Sequence, residues 1–333
     1  MINIKEKNII ELSKNSYIYT DLDNTFITFI SYNNILTLIY STKNNSIISY
    51  NLNELQIITE IKNAHKGFFI NNFRHFFDKY KKLDLILSIS AKNCAINIWN
   101  NLNWELIFSF ENIYSLGRIN SACLIQTEKN NLFIITSNNF FNSPESIKIY
   151  DLNKKLIKEI SNSQENVYYI DTYISDDNLK IFIIACCYDF VISYNYEENT
   201  LYKKYNSPSS QIHYSFKIIK NNDIVKLIES SMDGYIRIWD FNTSELLDKI
   251  NLSKNCLYGI YLISDNKILV SCADKCVKLI NIETKNIKNI YGFNNWICCS
   301  NFILHKKYGK CIITQGVKNE QVKLVLINDI LDK

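Results

Sequence analysis

One pattern limits what this chain can fold into. A short apolar run that alternates with other residues closes on an aromatic or large apolar residue, and it recurs seven times: SIISYN at Tyr50, AINIWN at Trp99, SIKIYD at Tyr150, FVISYN at Tyr194, YIRIWD at Trp239, CVKLIN at Ile280 and QVKLVL at Val325. The closing residues lie 49, 51, 44, 45, 41 and 45 positions apart. A period of about 40 to 45 residues is the length of one four-stranded propeller blade. A second apolar run precedes each of these, as in Leu85 to Ser90, Ile181 to Cys187 and Ile268 to Ala273. A third is set off by turn pairs such as Asp177-Asn178, Asn221-Asn222 and Asp265-Asn266. Segments after the closing residue, such as Glu105 to Phe110 and Glu245 to Ile250, supply a fourth. The pattern predicts an all-β chain, one seven-bladed β-propeller domain over residues 1–333.

The fifth repeat is the most complete. Met232-Asp233-Gly234 reads as a tight turn in which Gly supplies positive φ, and Ile236 and Ile238 then alternate with Tyr235 and Arg237, the period of a half-buried strand. The strand closes on Trp239-Asp240. The Asp-Gly turn and the aromatic-acid pair resemble the WD40-repeat family. Only Met232 to Asp240 carries both without substitution. Asn replaces Asp after Tyr50, Trp99 and Tyr194, Ile280 and Val325 replace the aromatic, and the family's Gly-His pair survives best as Ala64-His65. The resemblance implies a propeller with four-stranded blades and a non-catalytic scaffold or adaptor that presents loop faces to proteins or peptides. It also implies a buried network of His, Ser, Asp and Trp, which blade five alone is expected to build in part.

Val325 lies eight residues from the last residue of the sequence, too few for a turn and a further strand. Blade seven is therefore expected to take its outer strand from Ile9 to Thr20, which precedes blade one and would join the two ends of the propeller.

Composition narrows the function classes. The net charge of +4 comes from 37 basic and 33 acidic residues scattered along the chain, which gives nucleic-acid or membrane-surface binding no support. Gly (7) and Pro (2) are scarce, so Asn, which tolerates left-handed backbone, is expected to take over turn positions. No apolar run reaches the roughly 18 residues of a membrane span. The start MINIKEKNIIELSK has no signal-type apolar segment, which predicts a cytoplasmic protein with the nucleus as the alternative. Ten cysteines then read as reduced thiols, without disulfides.

The residue types that carry chemistry are dispersed. Cys186-Cys187, Cys298-Cys299 and the Cys272 to Cys276 spacing lack the paired knuckles or accompanying His of a zinc site, and most fall where other repeats have Ser, so they read as small buried strand residues. His65, His75, His213 and His305 fall in different repeats. No nucleophile elbow, phosphate loop or dinucleotide fingerprint is present, and no catalytic residue, metal or cofactor is expected. Asp171 and Glu229 sit inside expected strands, and a propeller enzyme would require them and a histidine to share one pocket.

The partner-binding candidates are Phe140, Phe141, Tyr168, Tyr258, Trp296 and Arg74. Phe140 and Phe141 lie in an extended turn, Ser137 to Ser146, and either fold back on the blade or dock a partner. Tyr168, Tyr258 and Trp296 stand near the starts of first strands, either on a loop face or packed between blades. Arg74 lies in Phe68 to Asp84, read as a lengthened connection that mixes basic and aromatic residues. It either binds an acidic or phosphorylated segment or is solvated, and it faintly resembles a phosphoinositide site in which His75 stands where a second arginine is needed.

Overall fold

The computed structural model describes residues 2–3, 8–12, 26–90, 92–114, 118–138, 147–160, 166–175, 180–207, 211–221, 224–291, 293–317 and 321–328. The extended turn bearing Phe140 and Phe141 lies outside these residues.

Seven sheets, each with an antiparallel set of four strands, follow one another; blades one to six are meanders of consecutive strands, and blade seven takes its outer strand from the start of the chain. Blade one comprises Phe26–Ile30, Leu36–Ser41, Ile47–Asn51 and Gln56–Ile61. Blade two comprises Asn72–Asp78, Leu83–Ser90, Ala95–Asn100 and Leu106–Phe110. Blade three is built from Ile119–Gln126, Leu132–Asn138, Ile147–Asp151 and Leu156–Ile160, and blade four from Tyr169–Ile174, Ile181–Cys186, Phe190–Asn195 and Thr200–Asn206. Blade five holds His213–Asn221, Ile224–Ser231, Tyr235–Asp240 and Leu246–Asn251, and blade six holds Leu257–Ser264, Lys267–Cys272, Cys276–Asn281 and Ile287–Tyr291. Blade seven consists of Ile297–His305, Gly309–Gly316, Lys323–Leu326 and, as its outer strand, Ile9–Glu11. This is the seven-bladed β-propeller that the repeat period predicts. Among the described residues no helix is long and apolar enough to cross a membrane.

The expected closure is present. Ile9, Ile10 and Glu11 pair antiparallel with Val325, Leu324 and Lys323, and the Leu12 N–H donates to the Val322 carbonyl at 2.9 Å. A further strand was not anticipated. Ile2–Asn3 runs parallel to Ile287–Tyr291 and gives blade six a fifth strand.

Turns explain the asparagines. Fifteen described residues other than glycine have positive φ, and six of them are Asn: Asn34, Asn45, Asn63, Asn112, Asn130 and Asn199. Gly234 is used where no side chain fits. Its φ is +80°, and a Cβ there would lie 2.0 Å from the Ser253 carbonyl oxygen.

Contacts divide the chain into two compact units. Unit 1 is Met1–Phe73, Met232–Ile236 and Ile250–Lys333, and unit 2 is Arg74–Ser231 and Arg237–Lys249. In unit 1, Leu12, Phe26, Leu38, Cys299, Ile313 and Leu324 form one core, and Leu269, Val277, Ile297 and Val325 form another. In unit 2, facing blades interlock through Leu87, Ile96 and Leu124, through Ile135, Ile183 and Ile192, and through Phe182, Tyr205 and Phe241. Ile, which is β-branched, dominates these faces and packs well on pleated sheets.

The outer strands carry a repeated irregularity. Opposite Tyr50, Trp99, Tyr150 and Tyr194 the register slips by one residue, at Ile58, Ile107, Ile157 and Tyr202. Opposite Ile280 in blade six and Val325 in blade seven no slip occurs.

Candidate interaction surface

Blade four presents the aromatic cluster that best fits a binding surface. Its second and third strands are joined by a turn at Cys187, Tyr188 and Asp189. The Tyr168 N–H donates to the Cys186 carbonyl at 2.9 Å, and the His213 N–H donates to the Cys187 carbonyl at 3.1 Å. These two bonds draw the starts of the first strands of blades four and five to either side of that turn. Tyr168 and Tyr214 meet edge to face, with ring centroids 6.2 Å apart, and both are half-buried. Tyr188 at the turn is 42% exposed. Three tyrosines thus occupy one end of unit 2, each with an apolar body and a polar tip.

The other candidates separate by burial. Trp296, just before the first strand of blade seven in unit 1, is 43% exposed, and its carbonyl accepts the Val317 N–H at 2.9 Å. Tyr258 is a correction: it lies inside Leu257–Ser264 and is 2% exposed, as the packed alternative expects.

Arg74 is a second correction. The segment read as a lengthened connection contains the first strand of blade two, Asn72–Asp78, and Arg74 is part of it. Its guanidinium donates to Tyr169 Oη (3.2 Å), Ser121 Oγ (3.1 Å) and the Ile170 carbonyl (3.3 Å), and lies 4.4 Å from the centre of the Tyr169 ring. The Tyr169 hydroxyl in turn donates to Asp171 at 3.4 Å and accepts from Lys217 at 3.4 Å. Asp171 therefore belongs to an internal network in which both cations already share one tyrosine.

Glu229 is sealed. With its side chain fully buried, it accepts from His213 Nδ1 at 2.5 Å and Arg237 Nη1 at 3.2 Å, and Arg237 also donates to Ser231 Oγ at 2.8 Å. Arg237 corrects the half-buried reading of the blade-five strand, because it is 0% exposed. The strand is third of four in its sheet, and four of its six residues are buried. This network also changes the expected His–Ser–Asp–Trp pattern. In blade two, Trp99 Nε1 donates to Ser88 Oγ at 2.9 Å, the bond that was expected of blade five. Glu229 holds the corresponding place two residues before its strand ends, and Trp239 Nε1 has no partner among the described residues.

Two grooves open within unit 2, of about 190 Å³ beside Lys158, Tyr194 and Tyr196, and of about 210 Å³ between Tyr80, Gln126 and Ile174. Neither contains Asp171, Glu229 or a histidine. Cys186, Cys272, Cys298 and Cys299 are buried strand residues, as expected, and Cys187 is buried at the turn that follows Ile181–Cys186.

Sequence reasoning singled out Tyr168 and Trp296, which the structure leaves at least partly exposed, and did not name Tyr188 or Tyr214. A signal was available: Tyr188 and Met232, which is also 42% exposed, both occupy the turn between second and third strands.

No family model matches the chain. A stretch of 129 residues is 23% identical to the U3 small nucleolar RNA-associated protein 21 homolog of Schizosaccharomyces pombe, a match that covers 36% of this chain and 14% of that protein. Seven successive sheets and the Asp233-Gly234 turn leading to Trp239-Asp240, with this distant likeness beside them, support the resemblance of the chain to the WD40-repeat β-propellers.

Proposed function

We propose that the chain is a non-catalytic interaction scaffold, a subunit of a larger complex, and that Tyr168, Tyr188 and Tyr214 form a principal contact for a protein or peptide partner. One observation carries this reading: three tyrosines are gathered around one turn by backbone hydrogen bonds, while Asp171 and Glu229 are held in internal networks. Tyrosine supplies contact area at low entropic cost and is enriched among interface hot spots. Trp296 offers a second aromatic contact on unit 1. The relative, of which only 14% is matched, bears a name that associates it with a small nucleolar RNA. That likeness favours a nuclear compartment over the cytoplasmic one and membership of a ribonucleoprotein assembly, in which this chain contacts protein.

The test is quantitative affinity purification of the tagged chain beside a Tyr168→Ala, Tyr188→Ala, Tyr214→Ala variant with an unchanged melting temperature. Near-stoichiometric partners that survive nuclease treatment and disappear with the variant are expected. Partners retained by the variant would move the contact elsewhere. Partners lost on nuclease treatment would make RNA the ligand.

A further inference from the structure

The hairpin between the second and third strands of blade six brings three potential metal ligands together. Cys272 and Cys276 are direct cross-strand partners that close the turn Ala273-Asp274-Lys275, in which Lys275 takes φ of +59°. Both thiols are buried, and Asp274 reaches back over them from the turn. The two sulfurs and a carboxylate oxygen of Asp274 all lie within 4.8 Å of one another. Tetrahedral zinc binds sulfur at about 2.3 Å and carboxylate oxygen at about 2.0 to 2.2 Å, which sets donor-to-donor edges of roughly 3.5 to 3.8 Å. The donors, at most 4.8 Å apart, need to close by little more than about an ångström to reach those edges.

We propose that Cys272, Asp274 and Cys276 bind one zinc ion, with solvent as the fourth ligand on the exposed side of Asp274.

Charge and surroundings fit this occupant. Two thiolates and one carboxylate carry three negative charges, which a divalent cation and the Lys278 ammonium balance. Lys278 is almost wholly buried, with its Nζ 3.3 Å from Asp274 Oδ2 and donating to Asn289 Oδ1 at 3.2 Å. A buried cation beside the donor set lets it hold three anionic groups around one dication without net charge. The carboxylate is oriented from outside, because Asn255 Nδ2 donates to Asp274 Oδ1 at 2.7 Å and the Asn255 N–H donates to Ser253 Oγ at 2.8 Å. Such outer hydrogen bonds fix ligands in metal sites. The Asp274 N–H also points at Cys272 Sγ, 3.4 Å away. Two sulfurs and one oxygen suit zinc better than the all-oxygen preference of calcium or magnesium. The spacing Cys-x-x-x-Cys alone conveys none of this, since the third donor and the buried ammonium are supplied by the hairpin and its neighbours.

The full chain, reduced with a thiol-free reductant, is titrated with Co²⁺ as the optical probe. The expected result is one Co²⁺ per chain with thiolate-to-metal charge-transfer absorption, displaced by equimolar Zn²⁺. Cys272→Ser and Cys276→Ser should abolish it, and Asp274→Asn should weaken it at least about tenfold. Cys256, the half-buried thiol nearby, is the control. Uptake that is lost with Cys256→Ser yet kept in the other two serine variants would overturn the proposal, as would the absence of stoichiometric uptake. If the serine variants do not fold, X-ray absorption of the zinc-loaded wild-type chain decides. Two sulfur neighbours at about 2.3 Å plus oxygen support the site, and a shell without sulfur or with four sulfurs refutes it.

Discussion

The strongest stability claim concerns Glu229. Its carboxylate bridges His213 and Arg237, and all three side chains are 0% exposed. Glu229→Ala removes the acceptor for both and strands the guanidinium charge where water cannot reach it. Breaking a buried ion pair from one side costs about 3 to 5 kcal/mol. Ser231 Oγ still accepts from Arg237, which places the expected loss near the lower end, about 3 kcal/mol. Glu229→Gln keeps the shape but offers one acceptor oxygen where two donors converge, for a loss of about 2 kcal/mol. The decisive variant is Glu229→Leu with Arg237→Met. Replacing a whole buried pair by apolar groups of similar volume is often nearly neutral, so this double variant should recover to within about 1.5 kcal/mol of wild type. Urea unfolding followed by tryptophan fluorescence, with the slope held constant between variants, supplies the free energies. The reasoning fails if Glu229→Ala costs less than about 1 kcal/mol, or if the double variant loses the sum of its single losses.

Three other perturbations have defined outcomes. Gly234→Ala forces a Cβ to within 2.0 Å of the Ser253 carbonyl oxygen at φ +80°, so it should cost about 3 kcal/mol or more, and a midpoint within about 0.5 kcal/mol of wild type in the same urea assay would refute the close approach. Burial lowers the His75 pKa below 6.5 despite Asp84 Oδ1 at 2.7 Å. The stability tied to this lowering is therefore complete above the unfolded value and is lost as pH falls through the folded one; His75→Gln should flatten the decline in stability below about pH 6.5, and parallel slopes would count against it. Removal of residues 1–12 takes away the outer strand of blade seven and the 7%-exposed Leu12, so a loss of about 3 kcal/mol or more is expected, checked by thermal unfolding against the full chain.

The fold was legible because its information is periodic. Each closing strand repeats one pattern at one spacing, and a seven-fold signal survives the loss of Asp after Trp99 or of the aromatic at Ile280. Asparagine at Asn34, Asn45 and Asn130 could be read as turn-forming for the same local reason. The site was less legible because burial and proximity are not local. Alternation identifies the face of a strand on which Arg237 sits, but not that the side chain is fully buried, nor that Glu229, eight residues earlier, and His213, a further sixteen before that, complete its surroundings. Tyr258 and Tyr168 look alike in sequence, each near the start of a first strand. One is enclosed, and the other is left half-open beside Tyr188.

The closing aromatic does more than mark a repeat. Opposite Tyr50, Trp99, Tyr150 and Tyr194 the outer strand slips by one residue, and the extra residues Ile58, Ile107 and Ile157 project outward, 36 to 48% exposed. A bulge bends the strand and interrupts the regular row of donors and acceptors along its free edge, which discourages pairing with another chain. This matters because the outer strands of blades one to five are sheet edges with apolar side chains in solvent. Where the closing residue is Ile280, Ile287 to Tyr291 runs in unbroken register against Ile280 to Cys276. That same regular edge accepts Ile2–Asn3 as a fifth, parallel strand, seated against Ile290 and Tyr291. The degraded motif of blade six and the strand added to it thus have one physical origin: without a bulky ring opposite, the outer strand keeps the straight edge that another strand can join.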